Sequence, residues 1–242
     1  MNSISALIVS AGEGKRFNPK RMGSNIPKPY ALLKHKPIIA WTLEIFDNLA
    51  EVNDITVVTH PKWIEYCKSE VIDRFGIKKV KYVVEGGEHR QDSVRLGLKV
   101  MDGEEVQPQF VLIHDAVRPF ITKEFLTYLI KETESYDAIV PGVPIINTIK
   151  ETRDGFVFRT LEREKLYEIQ TPQVFKVNKI KEAHDSAFKS NFYATDDSAL
   201  MERIGVKVKL AEGLKQNIKI TTAADLVYAE YWVGKLSRSS GD

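Results

Sequence analysis

The chain has a single cysteine, Cys67, in 242 residues, which excludes an internal disulfide and a cysteine-rich metal site. Long hydrophobic runs are missing. Its apolar stretches are short, as in Ala6-Leu7-Ile8-Val9, and none approaches the ~20 residues that span a bilayer. The N-terminus lacks a basic flank, an apolar stretch and a small-residue cleavage site, so no signal peptide is expected and the cytoplasm is the expected compartment. Neither sign of charge dominates: 35 Lys and Arg face 33 Asp and Glu, for a net charge of +2. Neither nucleic acid nor a membrane surface is therefore expected as a partner, and any cations that matter must be gathered locally. What is present suits a folded α/β chain. Residues are 43% hydrophobic and 28% charged, without repeats, low-complexity tracts or a linker. One domain over 1–242 is expected.

The first half repeats a short apolar run, a polar loop and a helical pattern. The runs are Ser5–Val9, Ile55–Val58, Val80–Val84 and Phe110–Ile113, with a fifth at Ala138–Val140. They are continuous rather than alternating, as in strands buried on both faces. Helical patterns fall at Ile38–Asn48, Pro61–Arg74, Gln91–Met101 and Thr122–Glu134. This alternation predicts an α/β, mostly parallel, doubly wound sheet. The rhythm then breaks. Val143–Ile149 and Gly155–Leu161 read as two strands joined through Asp154-Gly155, a strong hairpin turn, and predict a projecting β-arm at about 143–161. Helices are expected again at Asn178–Lys189 and Asp196–Ile204, then a strand at Val206–Leu210. A final helix, Ala223–Leu236, follows a capping-box pair, Thr222 and Asp225, and the tail Ser237–Asp242 is expected to fray.

Open parallel sheets bind ligands outside the carboxyl ends of their strands. The loop after the first run is Ser10-Ala11-Gly12-Glu13-Gly14-Lys15-Arg16. Its glycines let backbone N–H groups approach phosphate oxygens. It is neither a Rossmann fingerprint, since Phe17 stands near the third glycine's place, nor a Walker A loop. The same residues also fit a plain strand-to-helix turn with solvated cations. After the third run, Gly86-Gly87 and Ser93 offer backbone groups and a hydroxyl that could grip a base. After the fourth, Asp115 precedes Arg118 by three residues. That carboxylate could hold Mg2+ against substrate phosphates, or form a structural Asp–Arg pair. His114 reads as a packing or hydrogen-bonding residue, because no other histidine completes a metal or triad pattern with it. Arg163, Thr171, Thr195 and Lys219 cannot be assigned from periodicity. Thr195, ahead of Asp196-Asp197, reads as a helix N-cap.

Taken collinearly, these motifs are more specific than any one alone. Ser10–Arg16, Pro27-Lys28-Pro29-Tyr30, Gly86-Gly87 through Ser93, and His114-Asp115-Ala116-Val117-Arg118-Pro119 come first. Arg163 with Gln170-Thr171-Pro172-Gln173, Thr195-Asp196-Asp197, and Asn217-Ile218-Lys219-Ile220-Thr221 follow. From about Ala6 to Leu226 the chain resembles the 2-C-methyl-D-erythritol 4-phosphate cytidylyltransferase family of the non-mevalonate isoprenoid pathway. The resemblance implies a Rossmann-like nucleotidyltransferase fold, a homodimer formed through the β-arm, and Mg2+ as cofactor. It implies that Gly12, Gly14, Arg16 and Lys28 bind the CTP triphosphate, with Ala11 and Ala116 also at the nucleotide. Gly87, Glu88 and Ser93 would lie near cytosine and ribose, and Asp115 would assist the metal. Arg118, Thr148, Arg163, Thr171, Thr195 and Lys219 would surround the polyol phosphate, with Thr148 and Arg163 reaching the partner subunit's site. Arg16, Lys28, Arg163 and Lys219 are the expected catalytic cations.

There are departures from the family pattern. The stretch between Arg16 and Lys28 is long and carries Lys20 and Arg21, Pro29 replaces a common Gln, and Val117 replaces a common Ala. His114-Asp115-Ala116-Val117-Arg118-Pro119-Phe120 also resembles ribitol 5-phosphate cytidylyltransferases, which makes ribitol 5-phosphate the alternative substrate. Leu166-Tyr167 and Thr195–Leu200 favour methylerythritol phosphate. Outside catalysis the rival is a nucleotide-binding regulatory module that has lost turnover. A glycosyltransferase is disfavoured because no Asp-x-Asp follows a strand, and a dehydrogenase because the third glycine is absent.

Overall fold

The computed structural model describes residues 3–12, 26–103 and 107–239. Its strands begin with β1 (Ile4–Val9) and a two-residue pair, β2 (Leu32–Leu33) and β3 (Lys36–Pro37). Helix α1 (Ile38–Asp47) leads to β4 (Asp54–Thr59). A helical stretch follows: a 3-10 turn at Pro61–Trp63, a short α segment, α2 (Ile64–Tyr66), and a π-helical run at Cys67–Asp73. Then come β5 (Val80–Glu85), α3 (Arg90–Lys99), β6 (Phe110–Asp115), α4 (Lys123–Glu132) and β7 (Ala138–Pro144). The arm is β8 (Lys150–Arg153) and β9 (Phe156–Thr160). The chain closes with β10 (Tyr167–Ile169), β11 (Gln173–Lys176), α5 (Val177–Lys189), α6 (Asp197–Arg203), β12 (Lys209–Glu212) and α7 (Ala223–Ser239).

An eight-stranded sheet organises the molecule, in the order β10-β7-β11-β6-β1-β4-β5, with β12 also paired to β7. Strands β1, β4, β5 and β6 are parallel. The continuous apolar runs are explained by helices on both faces. Along β1, Ile4, Ala6 and Ile8 pack with Leu43 and Phe46 of α1 and Leu126 and Leu129 of α4. Leu7 and Val9 point the other way, to Val94 and Leu98 of α3 and Ile180 of α5. The period-two alternation of a strand therefore divides one apolar run between two cores.

The parallel strands end side by side. Val9 is level with Val58 and Asp115, and Thr59 with Glu85. The ladder runs one residue further: Ser10 N–H donates to Val58 O, Gly86 N–H to Thr59 O and Ala116 N–H to Val9 O. The loops that follow are thus gathered at one rim. A third core, in which Ile38, Val117, Phe120, Ile220 and Leu226 meet, seats α7 beside that rim. Thr222 and Asp225 cap α7 reciprocally, as their spacing predicts.

Several expectations need correction. Val143 and Pro144 belong to β7, where they pair with Glu168 and Tyr167, and the first arm strand begins only at Lys150. Pro144 has no N–H with which to continue a ladder. The turn itself is as read: Asp154 and Gly155 both take positive φ, 49° and 83°, the requirement of a tight type I′ hairpin. The strand read as Val206–Leu210 is Lys209–Glu212, because Val206 N–H is spent on Met201 O in a Schellman closure of α6 through Gly205 at φ 80°. Helix α7 continues through Ser239, past the expected frayed start at Ser237. Strands β10 and β11 were not anticipated. They run antiparallel to β7, and β11 inserts between β6 and β7.

Candidate active site

A cavity of about 560 Å³ opens over the carboxyl ends of β1, β4, β5 and β6. Ala11, Gly12, Lys28, Gly87, Glu88, Ser93, Asp115 and Lys219 all line it, so both glycine loops and the cations after β1 and β12 share one space. Gly14 and Arg16 lie outside the described residues. Ala116 does not line the cavity: it is buried, and its carbonyl accepts the Thr42 hydroxyl at 2.9 Å.

The loop after β5 shows why its glycines are needed. A Cβ on Gly86 would overlap Ala11 Cβ and stand 2.8 Å from Ser93 Oγ. Only glycine lets this loop close against the loop after β1. Gly87 N–H donates to Ser93 Oγ at 3.1 Å, and Ser93 Oγ donates to His89 O. His89 and Asp92 cap α3 reciprocally, fixing where the helix starts.

Lys28 starts a 3-10 turn, Lys28–Tyr30, that is anchored by its last residue. The Tyr30 hydroxyl meets Thr59 Oγ1 at 2.6 Å, at the end of β4, and its ring stacks on Trp63. Burial raises the Tyr30 pKa far above the usual phenol, so this hydroxyl stays neutral.

Asp115 ends β6 and is the electrostatic centre. Lys219 Nζ lies 2.7 Å from Oδ2, Arg90 Nε 3.1 Å from Oδ1 and Arg118 Nε 3.8 Å from Oδ2. Burial alone would raise its pKa. The cations Arg90, Lys219 and Arg118 overcome this and hold the carboxyl well below the usual range, so it stays ionised. Arg118 does not line the cavity. It is buried, and its Nη1 donates to Asn217 O at 2.7 Å. Asn217 Nδ2 in turn donates to Thr171 O, which ties the loop carrying Lys219 to the β10–β11 connection.

Thr171 and His114 brace the carboxylate from behind. Asp115 N–H donates to Thr171 Oγ1 at 3.1 Å, Thr171 Oγ1 meets His114 Nδ1 at 3.0 Å, and His114 Nε2 meets Arg118 O at 3.1 Å. A carbonyl only accepts, so Nε2 carries the ring proton, Nδ1 accepts, and the Thr171 hydroxyl donates to it. Burial lowers the His114 pKa to about 3, which keeps the ring neutral. His114 is a hydrogen-bonding and packing residue, as its sequence context indicated.

The remaining predicted residues lie elsewhere. Thr148 and Thr195 are exposed and do not line the cavity. The N-cap of α6 is Asp196, not Thr195: its carboxylate accepts Ala199 N–H at 3.1 Å. A second carboxylate oxygen lets Asp196 also hold Ser198 and Gln173, which Thr195 could not do. Arg163 is exposed and donates to Ile146 O at 3.2 Å, outside its own cavity. Sequence reasoning missed Arg90 and Asp197. Both stood inside quoted motifs, yet neither signalled its contact, which joins residues 107 positions apart.

The donor set tests the expected metal. Among the described residues no group of three or more His, Cys, Asp or Glu side chains could cage an ion. The cavity does have Asp115, an ionised carboxylate. Glu88 lines the same cavity, and one or two carboxylates beside substrate phosphates fit Mg2+, which usually keeps waters. Among the described residues no helix is long and apolar enough to cross a membrane.

Comparison with known proteins agrees with this geometry. Residues 4–235 match the family model for IspD, 2-C-methyl-D-erythritol 4-phosphate cytidylyltransferase. The cytidylyltransferase of that name from Caldanaerobacter subterraneus subsp. tengcongensis is 42% identical over 234 residues, covering 96% of this chain and all of the relative. The one from Clostridium botulinum (type A) is 42% identical over 98% of this chain and its own full length. Among solved structures, the 4-diphosphocytidyl-2C-methyl-D-erythritol synthase of Anaerococcus prevotii superposes with a TM-score of 0.82 at 29% identity, covering 96% of each chain. The Thermus thermophilus cytidylyltransferase gives 0.74 at 27%, covering 96% of this chain and 99% of its own. These matches fall on the methylerythritol branch rather than the ribitol 5-phosphate alternative. The chain belongs to the 2-C-methyl-D-erythritol 4-phosphate cytidylyltransferase family.

Proposed function

We infer that this chain joins CTP to 2-C-methyl-D-erythritol 4-phosphate, forming the CDP-linked polyol and pyrophosphate, in the cavity described above. The observation that carries the reading is the convergence of Lys28, Arg90 and Lys219 with Asp115 at one rim beside two glycine loops. An acceptor phosphate oxygen attacks the α-phosphorus of CTP. A new P–O bond forms, the bond from that phosphorus to the oxygen bridging to the β-phosphate breaks, and its electrons leave on pyrophosphate. Both reactants are anions and the nucleophile is already ionised, so the chain needs no strong base. Its work is positioning and charge compensation.

Lys28 compensates the charge that builds on the α-phosphate and the leaving pyrophosphate, and Arg16, outside the described residues, is assigned the same task by family. Ala11 and Gly12 present the loop backbone to the triphosphate, and Gly14, outside the described residues, is assigned the same task by family. Gly87, Glu88 and Ser93 flank the nucleoside. Lys219 holds the acceptor phosphate, its ammonium aligned by Asp115. Bound with the triphosphate, Mg2+ would neutralise part of its charge, and Asp115 is the residue that would help hold it.

The arm supports a homodimer. Phe156, Val157 and Phe158 are 77%, 62% and 50% exposed, and Thr148 and Arg163 stand away from their own cavity. Such residues make sense on a segment that serves the partner subunit's cavity, where Thr148 and Arg163 would meet the polyol phosphate. Pyrophosphate release tests the activity: wild-type protein should release it from CTP with methylerythritol phosphate and far more slowly with ribitol 5-phosphate. Silence with both would leave the regulatory-module reading. Mixing Lys28→Ala with Arg163→Ala protein, with subunit exchange demonstrated, should restore activity that neither has alone. No restoration would mean that each site is built from one chain.

A further inference from the structure

We propose that Arg90 is a positioning residue of this reaction, acting through Asp115 to hold the Lys219 ammonium where it meets the acceptor phosphate. The proposal rests on the cytidylyltransferase reading above. Arg90 opens α3, and its guanidinium is shared between two carboxylates. Nε donates to Asp115 Oδ1 at 3.1 Å and Nη1 to Asp197 Oδ2 at 2.6 Å. Asp197, buried on α6, meets His184 Nε2 at 3.1 Å with its other oxygen. Asp115 gives its other oxygen to Lys219 at 2.7 Å. A continuous polar chain therefore runs from His184 through Asp197, Arg90 and Asp115 to Lys219, from between α5 and α6 into the cavity.

The chemistry of this chain calls for arginine. A planar guanidinium can meet two carboxylates along two fixed directions at once, whereas an ammonium is a point charge on a longer tether. Asp197 anchors Arg90, and Arg90 fixes one Asp115 oxygen. The other oxygen is then aimed at Lys219, whose side chain is 36% exposed and has the buried carboxylate as its ion-pair partner. Arg118 does not replace this function. It approaches the same Oδ2 from 3.8 Å, and its Nη1 is committed to Asn217 O. With Arg90 removed, Oδ1 loses its anchor and the aim of Lys219 goes with it. Small misplacements of a group that positions a reactant carry large rate penalties, up to about 10²-fold.

The test uses full-length R90K, R90Q, K219M and the double variant R90K/K219M. Their kcat, the KM for each substrate and the calorimetric affinity for CTP are measured, with thermal unfolding as the control for folding. R90K retains the charge between the two carboxylates and is the variant that must fold. Its kcat should fall by about tenfold or more, and that of R90Q further, toward 10²-fold, with the KM for methylerythritol phosphate rising and CTP affinity held within about threefold. Because Arg90 acts through Lys219, R90K/K219M should be no slower than K219M alone within about threefold. Wild-type kcat in R90K, an equal loss of CTP affinity, multiplicative losses in the double variant, or an unfolded R90K would each overturn the proposal. An inactive wild type would overturn the activity reading instead. An active wild type beside a fully active R90K would sink only the role of Arg90.

Discussion

Asp115 and Phe156 stand at opposite extremes of this chain. Asp115 is buried and charged, and its neighbours answer that charge within one subunit: Arg90, Lys219 and Arg118 around the carboxylate, Thr171 on its backbone N–H. Phe156 is apolar and 77% exposed, on a strand whose five residues all face solvent. The charge at the cavity floor is answered within the chain, whereas the arm strand leaves its apolar side chains in solvent. A buried charge without partners costs several kcal/mol, so a floor must be assembled with its partners. An exposed phenylalanine costs the monomer little and leaves apolar area to be covered on association. The same fold thus holds a pre-organised electrostatic centre and an unfinished apolar projection.

The contrast can be broken first at its catalytic end. Lys28→Ala should lower kcat by about 10²–10³ while CTP affinity changes only a few-fold, since the lost contact belongs to the transition state. Steady-state kinetics with calorimetric CTP titration checks this, and parallel losses in both would reduce Lys28 to ground-state binding. Next is the seam between the two glycine loops. Gly86→Ala should destabilise the fold by about 1–3 kcal/mol in denaturant unfolding, because its Cβ would overlap Ala11 Cβ. Wild-type stability there would mean that the loops separate freely.

The buried imidazole gives a pH signature. His114, lowered by burial to about 3, is neutral when folded, while an unfolded histidine titrates near 6.5. Between these values the unfolded chain binds the extra proton, so stability declines as pH falls from about 6.5 toward 3. The contribution approaches about 1.4 kcal/mol per pH unit. Asp115, with its pKa held down, contributes in the same direction only below about 4, where an unfolded carboxyl protonates. Denaturation at pH 5 to 6.5 therefore isolates the histidine, and His114→Gln should flatten the slope there. The smallest effect belongs to the arm. Phe158→Asp should leave the stability of the isolated chain within about 0.5 kcal/mol while abolishing the proposed dimer in sedimentation. A large loss of monomer stability would show that the arm packs on its own subunit.

Much of this architecture was legible because its signals are local. Each central strand is a continuous apolar run, and alternate residues such as Ile8 and Leu7 feed cores on opposite faces. Asp154-Gly155 announces its turn because few pairs tolerate two positive φ values. β11 was not legible. Its Gln173 looks like a loop residue, yet it is buried and hydrogen-bonded to Asp196 and Ser198. The N-cap of α6 was displaced by one residue for a related reason: Asp196 and Thr195 are both good caps, and Gln173, 23 positions away, favours the carboxylate.

By itself the sequence determined the parallel core, the loops that rim the cavity and the family, because these are written in residue order and short spacing. Tertiary structure alone decided that Arg90 would bind Asp115 and Asp197, at 25 and 107 residues' distance, and that Asn217 would bind Thr171. An ion pair across such separations leaves no periodic trace in the chain. It exists because the sheet brings distant strand ends to one rim, where a buried charge must find whichever partner the fold delivers.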